Sequence, residues 1–222
     1  MSVTVYTPSV ANIEDEDVEA WRAVPVAVAV DILPESQIDT GIRPLNPPGQ
    51  QPRLCGRAVT AKCIAPDFGA VLQAIDRVET GDVLVIAASG YAENAMIGEI
   101  LGGHLRRRGC AGIVCDGAVR DVAQLSEWSD FAVFTRHVNP KGPEGADQGA
   151  VFSQVYVGDR KIDPGDLILG DDDGLAVLTS QMVKDCRAEA VQRIALEKQW
   201  EQSLSAGESV QAVFDLSPPK SG

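Results

Sequence analysis

Histidine is scarce in this sequence, with only His104 and His137 among 222 residues. A structural zinc site needs clustered nitrogen and sulfur ligands, so two separated histidines argue against one. Hydrolase chemistry built on a histidine base is weakened for the same reason. Cysteine is present as an odd set of five (Cys55, Cys63, Cys110, Cys115, Cys186), with no Cys-x-x-Cys pair. Most of these sit inside apolar runs and read as buried, reduced thiols. Positive charge is in the minority, 19 Lys plus Arg against 32 Asp plus Glu, for a net charge of −13. Such a surface repels phosphate backbones, so no nucleic-acid partner is expected. No apolar run approaches the ~20 residues needed to span a bilayer. The longest, 24–33, falls well short, and the acidic N-terminus lacks the basic start of a signal peptide. A cytoplasmic protein with no membrane partner is the expectation.

What is present is the composition of an ordinary globular chain, 45% hydrophobic and 23% charged. It carries no internal repeat and no compositional break, so a single domain over 1–222 is expected, with its core at about 20–200. An acidic start and helical spacing predict a helix over 13–23. A second helix is expected over 24–33, bounded by Pro25 and Pro34, and a proline- and glycine-rich loop over 41–53. Strand and helix signals then alternate: strand 54–63, helix 69–78, strand 83–88, helix 93–108 and strand 112–115. Within 93–108, Ala95, Ile97, Ile100, Leu101, His104 and Leu105 can build one apolar face, and Arg106 to Arg108 complement the helix end. Short runs at 132–135, 155–157, 167–170 and 175–178, divided by turn residues, read as antiparallel strands closing a second layer. A long helix over 181–204 precedes a polar tail over 205–222 that either wraps a neighbour or frays. The alternation defines an α/β fold.

The segment 90–121 carries the most chemistry. It places a glycine-bordered helix start before a strand that runs into Asp116-Gly117-Ala118-Val119-Arg120-Asp121. Gly98 and Gly117 permit close approach of backbone to a small anion. Arg120 offers a planar fork matched to a carboxylate. Asp121 and Glu99 are hard oxygen ligands suited to Mg²⁺ or Mn²⁺, and magnesium takes few protein carboxylates because it keeps several waters. Spacing alone leaves a surface ion pair between Arg120 and Asp121 equally open.

Gly98-Glu99, the Arg-rich helix end, Gly109, Gly112-Ile113-Val114 and the Asp116 to Asp121 run resemble the central motif of the RraA-like family. That family includes class II 4-hydroxy-4-methyl-2-oxoglutarate aldolases and the protein regulator of ribonuclease E. The resemblance extends to Gly56-Arg57-Ala58-Val59-Thr60 upstream, and to Pro164-Gly165-Asp166 and Gly170-Asp171-Asp172-Asp173-Gly174 downstream. It implies a compact layered sandwich of mixed β-sheets flanked by helices, similar to the swivelling β/β/α fold of phosphohistidine domains. It also implies homotrimers or homohexamers with sites at subunit interfaces.

Carried onto this sequence, the resemblance makes Asp121 the metal ligand, with Glu99 helping to hold the metal's water. Arg120 would bind the carboxylate and keto oxygen of a small 2-keto acid, and the backbone of Gly98, Glu99, Ile100 and Leu101 would form the rest of the substrate loop. The implied reaction is cleavage of a 4-hydroxy-2-keto acid to pyruvate through its enolate, with oxaloacetate decarboxylation alongside. The rival reading is a non-catalytic regulator docking on a partner such as ribonuclease E. One departure stands out: aldolase members carry an asparagine where this sequence has Phe68. Some members also borrow a C-terminal acid from a neighbour, for which Glu197, Glu201 and Glu208 are the candidates here, though each also reads as a solvated charge.

Overall fold

The computed structural model describes residues 2–7 and 13–217. The chain opens with strand β1 (Thr4–Val5), helices α1 (Asp15–Arg22) and α2 (Val26–Ile32), a 3-10 turn at Pro34–Ser36 and strand β2 (Arg43–Pro44). Strands and helices then alternate as β3 (Leu54–Lys62), α3 (Gly69–Ile75), β4 (Val83–Ile97), α4 (Glu99–Arg107), β5 (Gly112–Val119), α5 (Val122–Ser126) and β6 (Ala132–Val138). The last third holds β7 (Ala150–Val151), β8 (Val155–Val157), β9 (Arg160–Ile162), β10 (Leu167–Asp171), β11 (Gly174–Leu178), α6 (Ser180–Ser205) and α7 (Val210–Val213).

Strands β3, β4, β5 and β6 lie side by side in sequence order, all parallel. Parallel strands need a crossover, and α3, α4 and α5 supply the three. Both faces of this sheet are buried, so its strands read as nearly continuous apolar runs. The twofold side-chain period divides them. Val59, Ala61, Leu84, Ile86, Ile113, Cys115 and Val133 face the α3–α5 layer. Ala58, Val83, Val85, Val114, Ala132 and Phe134 face the opposite way, onto Val155, Val157 and Ile162 of the antiparallel β8–β9 hairpin and onto Ile168, Leu175 and Val177 of β10–β11. The outer face of β10–β11 is covered by Trp21, Val26, Ala29, Val183 and their neighbours from α1, α2 and α6. The result is a mixed α/β sandwich with helices outside and sheets between.

β3 belongs to both sheets. Ala58 to Lys62 pair with β4, whereas Leu54 to Arg57 pair antiparallel with β10. Gly56 permits this junction, because a Cβ there would meet the Gly81 carbonyl oxygen.

Several expectations need correction. The helix expected over 93–108 is α4 alone; residues before Gly98 continue β4, where Ala95 and Ile97 pair with Ala118 and Val119 of β5. The composition of 93–97 suits a helix, but tertiary pairing overrides that preference. β4 reaches this far by bulging, with register shifts after Ala87 and left-handed conformations at Ser89 (φ 53°) and Gly90 (φ 72°). Ala95 and Ile97 are therefore buried strand residues, and Ile100, expected on the same apolar face, is 74% exposed. The run at 132–135 is the start of β6, parallel to β5 in the main sheet, not an antiparallel strand of the second layer. In the expected tail, α7 folds back so that Phe214 meets Trp200 of α6 at 4.9 Å between ring centroids; residues 218–222 lie outside the described residues.

Cys55, Cys63, Cys110 and Cys115 are buried free thiols, and Cys186 is partly covered. Burial pushes Cys55 and Cys110 up to about 11 and Cys63 to about 12, which keeps these thiols protonated. Among the described residues, no helix is long and apolar enough to cross a membrane.

Candidate functional site

The site is assembled where β4 and β5 end and α4 begins. Gly98, in an extended conformation (φ −148°, ψ −162°), turns β4 into α4. The Arg120 amide donates to the Ile97 carbonyl at 3.1 Å, so the two strand ends are tied together. Asp121 follows in the left-handed region (φ 59°, ψ 39°), which aspartate tolerates better than most residues. Its carboxylate does not cap α5. Instead, Oδ2 accepts the Glu99 amide at 3.1 Å and lies 3.6 Å from Nε of Arg120, an ion pair just beyond hydrogen-bond range.

Two glycines make the room for this pair. A Cβ at Gly98 would stand 2.3 Å from Oδ2 of Asp121, and one at Gly142 would stand 2.7 Å from Nη1 of Arg120. The first turn of a helix lacks intrahelical acceptors for its amides. In α4 the Glu99 amide is taken by Asp121 and the Gly102 amide returns to Gly98, leaving Ile100 and Leu101 at the positive end of the helix dipole. A carboxylate placed there would meet Arg120 and these amides together.

Gly98, Ile100, Leu101, Arg120 and Asp121 thus line one small cleft, together with Phe68, Ala95, Met96, Ile97 and Pro143. The cleft offers roughly 290 Å³ of empty space, including its open mouth. Glu99 joins through its backbone only; its side chain is exposed and is not part of the lining. Asp116, the other acid of the motif, lies elsewhere: its carboxylate accepts Nε of Arg136 at 2.6 Å and the Gly158 amide at 3.0 Å. Arg136 in turn donates to Asp39 at 2.7 Å, and this network lines a separate surface depression. Glu197 is engaged by Arg193 on α6, and none of Glu197, Glu201 or Glu208 lines the cleft.

Among the described residues there is no cluster of three or more His, Cys, Asp or Glu side chains that could cage a metal ion. The donor set is one carboxylate, Asp121, 35% exposed, with space beside it that only glycine at residue 98 preserves. This suits magnesium or manganese keeping most of its water shell. The residues present therefore fit a hydrated divalent cation.

The wall formed by Phe68 and Pro143 was not anticipated as a unit. Phe68 is held by its neighbours. The buried Asp67 carboxylate accepts the amides of Gly69 (2.7 Å), Asp147 (3.1 Å) and Gln148 (3.1 Å). Burial would raise the Asp67 carboxyl, but these amides outweigh it and hold it below the usual range. The Phe68 amide donates to Gly145 at 3.3 Å, and the Ala95 amide to Lys141 at 2.7 Å. The segment 139–149 is thereby laid across the cleft, and its prolines and glycines (Pro140, Gly142, Pro143, Gly145, Gly149) were the available signal for a shaped loop.

A model of the RraA-like family, described as Aldolase/RraA, matches residues 11–177. The chain belongs to the RraA-like family. A protein of Halalkalibacterium halodurans named "Putative 4-hydroxy-4-methyl-2-oxoglutarate aldolase" is 30% identical over 193 residues, covering 86% of this chain and 90% of that protein. Among solved structures, an uncharacterized protein from Pseudomonas syringae pv. tomato has a TM-score of 0.78 at 24% identity, covering 94% of this chain and 99% of that one. The RNA-processing inhibitor RraA from Thermus thermophilis has a TM-score of 0.62 at 26% identity, covering 69% of this chain and 92% of that one.

Proposed function

We propose that this chain is a divalent-metal-dependent lyase that cleaves a 4-hydroxy-2-keto acid to pyruvate and a carbonyl product. The observation that carries the reading is the convergence of Arg120, Asp121 and the open amides of α4 on one cleft. The name of the Halalkalibacterium relative supports the same reaction class. A cytoplasmic homotrimer or homohexamer completes the reading.

Asp121, with Glu99 holding water beside it, would bind Mg²⁺ or Mn²⁺, and the ion when bound would polarise the keto oxygen as a Lewis acid. Arg120 grips the keto acid through its carboxylate and keto oxygen, and the Ile100 and Leu101 amides add donors to the same head group. A water acting as base takes the 4-hydroxyl proton. The C3–C4 bond then breaks, C4 becomes the carbonyl of the departing product, and the electron pair is left on the C2–C3 unit as pyruvate enolate. Arg120 interacts more strongly as charge gathers on that oxygen, and this difference between ground and transition state is what accelerates the step. Protonation at C3 gives pyruvate. Oxaloacetate decarboxylation reaches the same enolate by losing CO₂ instead of an aldehyde or ketone.

A regulator that binds a partner such as ribonuclease E is the second reading, favoured by the similarity to the Thermus RNA-processing inhibitor. One experiment separates them. In metal-stripped buffer restored with Mg²⁺, the wild-type chain should release pyruvate from a panel of 4-hydroxy-2-keto acids. Asp121→Asn should bind Mg²⁺ more weakly by calorimetry and lose that activity while its circular dichroism is unchanged. Full turnover in Asp121→Asn would remove the lyase proposal.

A further inference from the structure

Two glycines border Arg120 at different heights. A Cβ on Gly98 would stand 2.8 Å from Cγ and 3.2 Å from Nε, and one on Gly142 would stand 2.7 Å from Nη1. Gly98 therefore bounds the stem of the side chain, and Gly142 bounds the tip that carries the charge. Gly98 is fixed where strand meets helix, because the neighbouring Ile97 carbonyl takes the Arg120 amide and its own carbonyl takes the Gly102 amide. Gly142 lies in the segment laid across the cleft, so its place depends on what ties that segment down.

The tie at this point is Asn94. It lies in β4 where the register with β5 shifts between Tyr91 and Ala95, and such bulges re-aim side chains. Asn94 is 1% exposed. Its Nδ2 donates to the Gly142 carbonyl at 2.5 Å and reaches Oε1 of Glu144 at 3.5 Å, while Oδ1 accepts the Tyr91 hydroxyl at 3.0 Å. Other bonds hold the segment to either side: Nδ2 of Asn139 donates to the Ala92 carbonyl at 2.8 Å, the Ala95 amide to Lys141 at 2.7 Å, and the Glu144 amide to Pro66 at 2.9 Å. Of these bonds, the one from Asn94 ends on Gly142 itself, and each is made within one chain. A buried amide that loses its acceptor is costly, so this bond holds its geometry firmly. We infer that Asn94 is a positioning residue for Arg120: by holding Gly142 in place, it sets where the guanidinium stands against the substrate carboxylate and the enolate oxygen. This rests on the lyase reading above.

The experiment uses the full chain with Mg²⁺ and measures oxaloacetate decarboxylation, pyruvate release from 4-hydroxy-2-keto acids, and deuterium exchange into the pyruvate methyl group by NMR. Asn94→Ala removes the donor. Asn94→Asp keeps the shape and the acceptor for Tyr91 but turns a carboxylate oxygen toward the Gly142 carbonyl. Gly142→Ala leaves Asn94 intact and presses a methyl group on Nη1, the flexible end of a side chain that can move aside. Each should lower the rates about tenfold or more, since small misplacements at a reacting centre are costly. Circular dichroism and the Mg²⁺ affinity by calorimetry should not change. In an Arg120→Lys background the Asn94 substitutions should cost less than about threefold, because residues that act through one another are not additive. Equal losses in both backgrounds, or failure of both Asn94 variants to fold, would make Asn94 a framework residue and overturn the inference. Wild-type rates in the Asn94 variants or in Gly142→Ala overturn it as well. With the wild type active, each of these results leaves the lyase reading standing. Absence of exchange, decarboxylation and pyruvate release in the wild type overturns the lyase reading and the role of Asn94 with it.

Discussion

A side chain at residue 98 and the carboxylate of Asp121 compete for the same space, since a Cβ on Gly98 would lie 2.3 Å from Oδ2. The extended backbone of Gly98 is open to any residue, so the requirement for glycine here is steric and local to the site. Gly98→Ala should therefore fold but push the Asp121 carboxylate aside. Displacements of about 1 Å at a reacting centre cost on the order of 10²-fold in rate. Pyruvate release should fall by about that factor while the melting temperature moves little; wild-type turnover in this variant would place the working group elsewhere than Asp121.

Arg120 is expected to serve every reaction that passes through the enolate. Arg120→Lys keeps the charge but loses the planar two-point fork, and should slow aldol cleavage and oxaloacetate decarboxylation together by about tenfold or more. Arg120→Ala should slow both further. If either substitution abolished cleavage and left decarboxylation at the wild-type rate, Arg120 would have to be reassigned to the distal part of the substrate.

The two aspartates of the Asp116 to Asp121 motif should respond in opposite ways. Asp116 is 4% exposed at its side chain and paired with Arg136 at 2.6 Å, so Asp116→Ala leaves a part-buried guanidinium short of a partner. Removing one member of such a pair typically costs about 3–5 kcal/mol. Urea unfolding should show a loss approaching that size, reduced where Arg136 reaches water. Asp121→Asn, in a left-handed conformation that asparagine also accepts, should change stability by less than about 1 kcal/mol. Equal losses for the two would mean that Asp121 is a framework residue.

Asp166 provides a test by pH. It is 6% exposed, and burial raises its carboxyl to about 6, against a pull downward from the Asp163 amide at 2.8 Å. The unfolded value is about 3.9. Between about pH 4 and 6 the folded state holds more protons, so stability falls as pH rises through that window and the full cost is present above it. Asp166→Asn keeps an acceptor for the Asp163 amide and has no charge to bury. Its urea midpoint relative to wild type should be higher at pH 7.5 than at pH 4.5, by up to about 2–3 kcal/mol in stability. A difference that does not change between those pH values would mean that Asp166 ionises as freely folded as unfolded.

The strand cores were legible because both faces of a parallel sheet are buried: runs such as Val83 to Ala88 and Gly112 to Cys115 announce themselves without alternation. The place of Arg120 and Asp121 at a strand end was legible from the glycine-bordered run that precedes them, whereas spacing alone left their pairing open. What composition concealed was the second half of β4. Glu93 to Ile97 has helix-forming residues, and only the neighbouring Ala118 and Val119, together with the Lys141 carbonyl over Ala95, make it a strand. The same blindness hid the apolar side of the cleft. Phe68 and Pro143 are 75 residues apart and line one cleft because Asp67 binds the amides of Asp147 and Gln148 and the Phe68 amide binds Gly145. Contacts between distant loops leave no period in a sequence.

The sharing of β3 between two sheets imposes an order on synthesis. Leu54 to Arg57 emerge more than a hundred residues ahead of their partners, Leu167 to Gly170. Until those partners arrive, the leading half of β3 is an unpaired edge. A nascent chain that stalls after β6 would carry its parallel sheet with this edge open, which is the usual template for pairing with another chain. Long-range closure of this kind also slows folding. Production of soluble protein should thus depend more on the β10–β11 hairpin, and on whatever shields β3 before it arrives, than on the stability of the parallel sheet itself.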